Sequence, residues 1–133
     1  MALQEFIDAW NTRDPAVIAA LYAPDGVRHQ FALPEARLEG RDAVQQGVGT
    51  VTHAAPDCVL STRSQADLGD GRLLWEWTFT GTLQNDFPGL PANGGPLHLQ
   101  GISVLTFDAE GLITLENVYW DTATLMAQAG MLG

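Results

Sequence analysis

The apolar pattern of this chain switches from mainly helical to extended at Pro56, and that change limits the fold more than any other feature. Before Pro56 apolar residues recur at helical spacing, and after it they alternate as in strands with one buried face. Four segments of the second kind, "CVLSTRSQA", "RLLWEWTFTGT", "LHLQGISVLTF" and "LITLENVYW", are bounded by turn residues, which predicts strands. "DLGDG" joins the first two and "DAEG" the last two, turn chemistry that suits antiparallel hairpins. The connection "LQNDFPGLPANGGP" between the middle two is too long for a tight turn, and loops of that length tend to be functional or mobile.

On the helical side, Leu3, Phe6, Ile7 and Trp10 share one face of an expected helix over about residues 2 to 12. Asp14 as N-cap and Pro15 at the first position start a second helix with Val17, Ile18, Leu21 and Tyr22 on its apolar stripe, stopped by "APDG". "VRHQFAL" reads as a short strand. Gly40 opens a third helix carrying Val44, Val48 and Val51, despite Gly47 and Gly49. Leu125, Met126 and Ala129, directly after Asp121, predict a last one. Helices first and strands afterwards imply an α+β domain, helices packed on a curved antiparallel sheet. Such a sheet closed by helices at one end is a cone whose apolar interior is a ready pocket. The 133 residues suit one domain spanning 1–133, with no linker, repeat or low-complexity tract.

Sixteen acidic against six basic side chains give a net charge of −10, which repels phosphate backbones and anionic lipid surfaces. Nucleic acid and membranes are therefore not expected partners. Cys58 is the single cysteine, so no intrachain disulfide can form. Glu5 and Asp8 interrupt any signal-peptide pattern, and no apolar run approaches the roughly 20 residues of a membrane span, so a cytoplasmic protein is expected. Neither paired histidines or cysteines nor an acidic cluster occurs at metal-ligand spacing, and "GDG" and "NGG" are turns rather than phosphate loops. No metal or other cofactor is expected.

The opening "FIDAWNTRDPAVIAALYAPDGVRH", "LEGRDAV" at the third helix, the central "FTGTLQNDFPGLPANGGPLHLQGISVLTFDAEGLI" and the closing "VYWDTATLMAQAGML" resemble the nuclear transport factor 2-like superfamily. Within it they are most similar to the SnoaL-like polyketide cyclases and ester cyclases. Where that family often carries Thr-Gly-Lys in the loop, this chain has Asn93, Gly94 and Gly95. The resemblance implies the cone-shaped fold, a homodimer formed through the sheet, and a small apolar or aromatic ligand. It does not imply one chemistry, because this cone hosts several. The positions at which ketosteroid isomerases carry a tyrosine, a base and a protonated aspartate fall at Phe6, Gln30 and Ser103, which cannot supply that acid and base. Epoxide hydrolases of this fold bridge two aspartates with an arginine. Most of the six arginines lie beside turns or at element ends, and Arg63, inside a strand segment, has no evident aspartate pair. The cyclases ask for little more than one carboxyl at the end of the last strand, and Asp121 matches that position.

Asp121 thus has two readings. "DTAT" before a helix is a sound N-cap. Strand alternation, however, sets Asp121 on one face with Asn117 and Tyr119, continuing from Leu115 and Ile113, as a reactive rim on an apolar wall. In the catalytic reading Asp121 exchanges a proton with a carbonyl compound during an aldol-like closure. His29, His98, Asn117, Tyr119, Phe6 and Trp10 would then contact the substrate. His29 is equally a satisfied edge histidine, and His98 faces the pocket in one strand register and solvent in the next. His53, at a helix end, reads as structural. Trp75, Trp77 and Phe79 alternate inward as core or as a grip for a flat ligand, opposite a polar run of Glu76, Thr78, Thr80 and Thr82. The rival to an enzyme is a non-catalytic binding or dimerisation module with the cone filled by its own aromatic side chains.

Overall fold

A computed structural model describes residues 3–33 and 35–131. In chain order these form α1 (Leu3–Thr12), α2 (Pro15–Ala19), β1 (Tyr22–Gln30), β2 (Ala36–Glu39), α3 (Arg41–Ala54), β3 (Val59–Gly69), β4 (Arg72–Thr82), β5 (Pro96–Phe107), β6 (Ile113–Trp120) and α4 (Thr122–Gln128). The six strands make one curved, unclosed sheet in the order β2-β1-β6-β5-β4-β3. Helices cover its inner face around a core in which Phe6, Ile18, Val44, Trp75, Leu105 and Ile113 are almost wholly buried. Phe6 sits at its centre, edge-on to Tyr22 and Trp75 at ring distances of 5.9 Å. Ala2, the expected start of the first helix, lies outside the described residues.

The pattern after Pro56 yields the expected strands and hairpins. The sheet is mixed rather than wholly antiparallel, because β1 runs parallel to β6. The region before α3 also departs from expectation. The second helix ends at Ala19, and Tyr22 begins β1, paired with Ile113. Ala23 precedes Pro24, which favours extended backbone there. "PDG" is an excursion inside the strand, since pairing with β6 resumes at Val27 opposite Leu115. At Gly26 the two strands come so close that an added Cβ would lie 2.7 Å from the Ile113 carbonyl oxygen. β1 ends at Gln30, so Phe31 to Leu33 fall outside it, and β2, a strand the apolar pattern does not reveal, folds back to pair Leu38 with Arg28.

Two features position the interior. β6 holds one extra residue opposite Thr106 and Phe107, a bulge at Thr114 that inverts side-chain parity along the rest of the strand. The long loop after β4 tucks Leu83 and Leu90 inward and is tied to the end of α4 by the Asn93 side chain, whose Nδ2 donates to the Gln128 carbonyl at 2.9 Å.

Candidate functional site

The curved sheet, the ends of α1 and α3, the loop after β4 and α4 enclose a cavity of about 80 Å³. Its wall is aromatic and aliphatic: Trp75, Trp77 and Phe79 enter from β4, Leu97 and Leu99 from β5, Trp120 from β6. Among the described residues the charged groups of that wall are Arg28 and Glu116.

These two are Cα partners in the parallel β1–β6 pair and project onto the same inner face. Arg28 Nη1 donates to Glu116 Oε1 at 2.6 Å, and the Tyr22 hydroxyl donates to the same oxygen at 2.5 Å. Glu116 is 1%, Tyr22 0% and Arg28 6% exposed, so the group is shielded from water and its interactions are strong. Trp10 of α1 covers the guanidinium, with the ring centroid 5.5 Å from Cζ. Burial, and then the Glu116 charge, push the Tyr22 phenol well above its ordinary range. Burial works against the Arg28 charge, but Glu116 and Tyr22 outweigh it and hold the guanidinium more firmly protonated. Arg28 lies well inside β1 rather than beside a turn as expected, because that strand begins at Tyr22.

The raised phenol sets an alkaline prediction. An unfolded tyrosine loses its proton near pH 10, whereas Tyr22 keeps it in the fold. Above that pH the unfolded state binds fewer protons, so stability falls as pH rises. The buried Cys58 thiol, also pushed up by burial, acts in the same direction from its own ordinary range. Urea unfolding between pH 8 and pH 11 is expected to show this decline, with a shallower slope in Tyr22→Phe. Equal slopes in both proteins would refute it.

Asp121 lies at the surface and caps α4. Its Oδ1 accepts from the Thr124 N–H at 3.3 Å and its Oδ2 from the Thr124 hydroxyl at 2.7 Å. That hydroxyl, then that N–H, hold the carboxyl below the usual carboxylate range. It is not part of the cavity wall. Asp121→Ala is expected to reduce amide-exchange protection in α4 by about three- to tenfold, while Asp121→Asn, an equally good cap, leaves it unchanged. Hydrogen exchange at Leu125 checks both.

The bulge at Thr114 places the other candidates. It turns Glu116, Val118 and Trp120 inward and Asn117 and Tyr119 outward, reversing the face that simple alternation from Ile113 assigns. His29, next to Asn117 across the β1–β6 pair, also faces outward. There it stacks on Phe31 at 3.8 Å, Phe31 stacks on Tyr119 at 4.9 Å, and His29 Nε2 lies 3.1 Å from Glu35. His98 is on the same outer side, its backbone N–H and carbonyl both bonded to the Gln128 side chain. Of the seven sequence-derived candidates, Trp10 alone reaches the cavity wall, and Phe6 is core behind it. Arg63 lies on the exposed side of the sheet, donating to Gln100 at 3.0 Å. Sequence reasoning misses Glu116, Arg28 and Tyr22. The available signal is a charged residue midway along an otherwise apolar strand, but its inward direction depends on the bulge.

No group of three or more metal-ligating side chains occurs among the described residues. No helix among them is long and apolar enough to cross a membrane.

An α+β cone with an apolar cavity and a buried ion pair defines the structural class. A family model described as the SnoaL-like domain matches residues 3–116, and the chain belongs to that family. A candidate SnoaL-like polyketide cyclase from Jannaschia sp. CCS1 superposes with a TM-score of 0.84 at 14% identity, covering 98% of this chain and 89% of that one. A ketosteroid isomerase-like fold protein from Catenulispora acidiphila, solved with trimethylamine, gives 0.80 at 19% identity over 97% and 92%. AclR from Streptomyces galilaeus, a candidate hydroxylase, gives 0.81 at 23% over 98% and 83%. At these identities the likeness establishes the fold, and the side chains carry any argument about chemistry. No curated protein matches the sequence.

Proposed function

We propose that the cavity binds a small apolar or aromatic carbonyl compound and that the chain catalyses its aldol-like ring closure without a cofactor, using Glu116 as acid/base and Arg28 to stabilise the oxyanion. The observation that carries this reading is the pair itself, the charged groups in a wall of tryptophan, phenylalanine and leucine. Arg28 and Tyr22 both bond Oε1 of Glu116, and a carboxylate has a second oxygen to offer a substrate proton. The guanidinium has five N–H donors, more than one carboxylate oxygen can use, and in a dry cavity such donors favour an enolate oxygen strongly. Glu116 would take a proton from carbon beside the carbonyl. The enolate carbon then forms the new bond to a second carbonyl of the same molecule, and Glu116 returns the proton to the resulting alkoxide. The cyclase-type description of similar folds agrees with this reaction class.

A reading without turnover, as a binding module, is favoured by the small free volume and by the use of Asp121 as a cap. Deuterium wash-in separates the two. With 1-indanone in D2O, the protein should accelerate exchange at the carbon beside the carbonyl, and Glu116→Gln should lower that rate at least 100-fold. Binding without exchange would favour the module. Exchange lost in Asp121→Asn and kept in Glu116→Gln would return the catalytic role to Asp121.

A further inference from the structure

Three of the four tryptophans, Trp75, Trp77 and Trp120, present indoles to the cavity from the sheet, and they differ in one respect. Trp75 Nε1 donates to the Thr62 hydroxyl at 3.0 Å and Trp77 Nε1 to the Ser103 hydroxyl at 3.1 Å. Trp120 Nε1 is shut off from solvent and has no acceptor among the described residues. The other two sheet indoles are thus each supplied with a hydroxyl from a neighbouring strand. A donor buried without a partner opposes folding unless something outside the chain satisfies it. Trp120 also stands four residues from Glu116 on the same inward face of β6, and so well along the cavity wall from the Arg28–Glu116 pair.

We infer that Trp120 is a specificity-determining residue whose indole N–H donates to an oxygen of the bound ligand, so that the cavity selects compounds with a hydrogen-bond acceptor at the end remote from Arg28. An indole N–H is a donor only, as is a guanidinium. The two anchors therefore favour a flat apolar skeleton with acceptor oxygens, such as carbonyls, at opposite ends, and disfavour the corresponding hydrocarbon and ammonium compounds. This rests on the cavity being the binding site, as proposed above.

The test uses an indanone with a second carbonyl at its opposite end, 5-acetyl-1-indanone, and the indane that lacks both oxygens, 5-ethylindane, with the whole protein. In 15N–1H spectra the Trp120 indole resonance, assigned through its own backbone amide, should move downfield with indanone and stay in place with indane. Trp120→Phe keeps an aromatic wall and removes the donor. It should weaken indanone binding about tenfold, the equivalent of one neutral hydrogen bond, and leave indane unchanged. Equal losses for both probes would assign the indole a role in shape only and overturn the inference. A carbonyl preference that survives Trp120→Phe and disappears in Arg28→Met would place the acceptor at Arg28 alone, with the same consequence. If indane binds and the wild-type indole does not respond to indanone, the inference fails while the cavity reading stands. If neither probe binds, both fail together. The wild-type shift decides the matter even where Trp120→Phe does not fold.

Discussion

Glu116→Ala is expected to destabilise the folded chain by about 3–5 kcal/mol, the usual consequence of removing one member of a buried ion pair. The substitution leaves the Arg28 guanidinium, held among Trp10 and the cavity wall, without its counter-charge, and the Tyr22 hydroxyl without its acceptor. Urea unfolding at pH 7 measures the effect. The double variant Arg28→Met with Glu116→Met should recover most of the loss, because two well-packed apolar side chains can replace a buried pair at little net cost. That recovery would mean stability is not what the pair supplies, and would leave chemistry or ligand recognition as its role. A Glu116→Ala variant as stable as the parent would instead mean that water reaches the guanidinium, contrary to its burial in the fold.

Gly101→Ala should cost about 3 kcal/mol, at the upper end of overpacking effects. A Cβ at Gly101 would lie 2.2 Å from Cζ2 and 2.3 Å from Cη2 of Trp77, and 2.6 Å from the Tyr119 carbonyl oxygen. The carbonyl belongs to the β5–β6 ladder and cannot retreat easily. The Trp77 ring is held by its bond to Ser103, two residues beyond Gly101 on β5, so it moves only by giving up that bond and swinging into the cavity. Thermal unfolding should show the loss, and binding of apolar probes should fall with it. In a Trp77→Leu background the same glycine substitution should cost at least 1 kcal/mol less, since neighbours that clash are not additive. Additive losses would place the conflict at the Tyr119 backbone rather than at the indole.

Features of the site that depend on short stretches of chain are legible in the sequence. "DTAT" marks Asp121 as a cap, and the Thr124 bonds to both its carboxyl oxygens are that motif realised. The alternation of Trp75, Trp77 and Phe79 points to one side of a strand, and that side lines the cavity. The same alternation rule fails on β6. A single extra residue at Thr114 sends Asn117 and Tyr119 to the outer face and brings Glu116 in. Nothing in "LITLENVYW" marks the bulge, because it arises from fitting β6 simultaneously to β5 and β1.

The sequence by itself determined the α+β class, the hairpins at "DLGDG" and "DAEG", the cap at Asp121 and the aromatic inner face of β4. Each follows from turn chemistry, capping or periodicity acting over a few neighbouring residues. Tertiary structure alone decided that β1 lies parallel to β6, that Tyr22 opens a strand instead of ending a helix, and that Arg28 meets Glu116 across 88 residues of chain. Those outcomes depend on strand register between distant segments, where a shift of one residue exchanges the buried face for the exposed one.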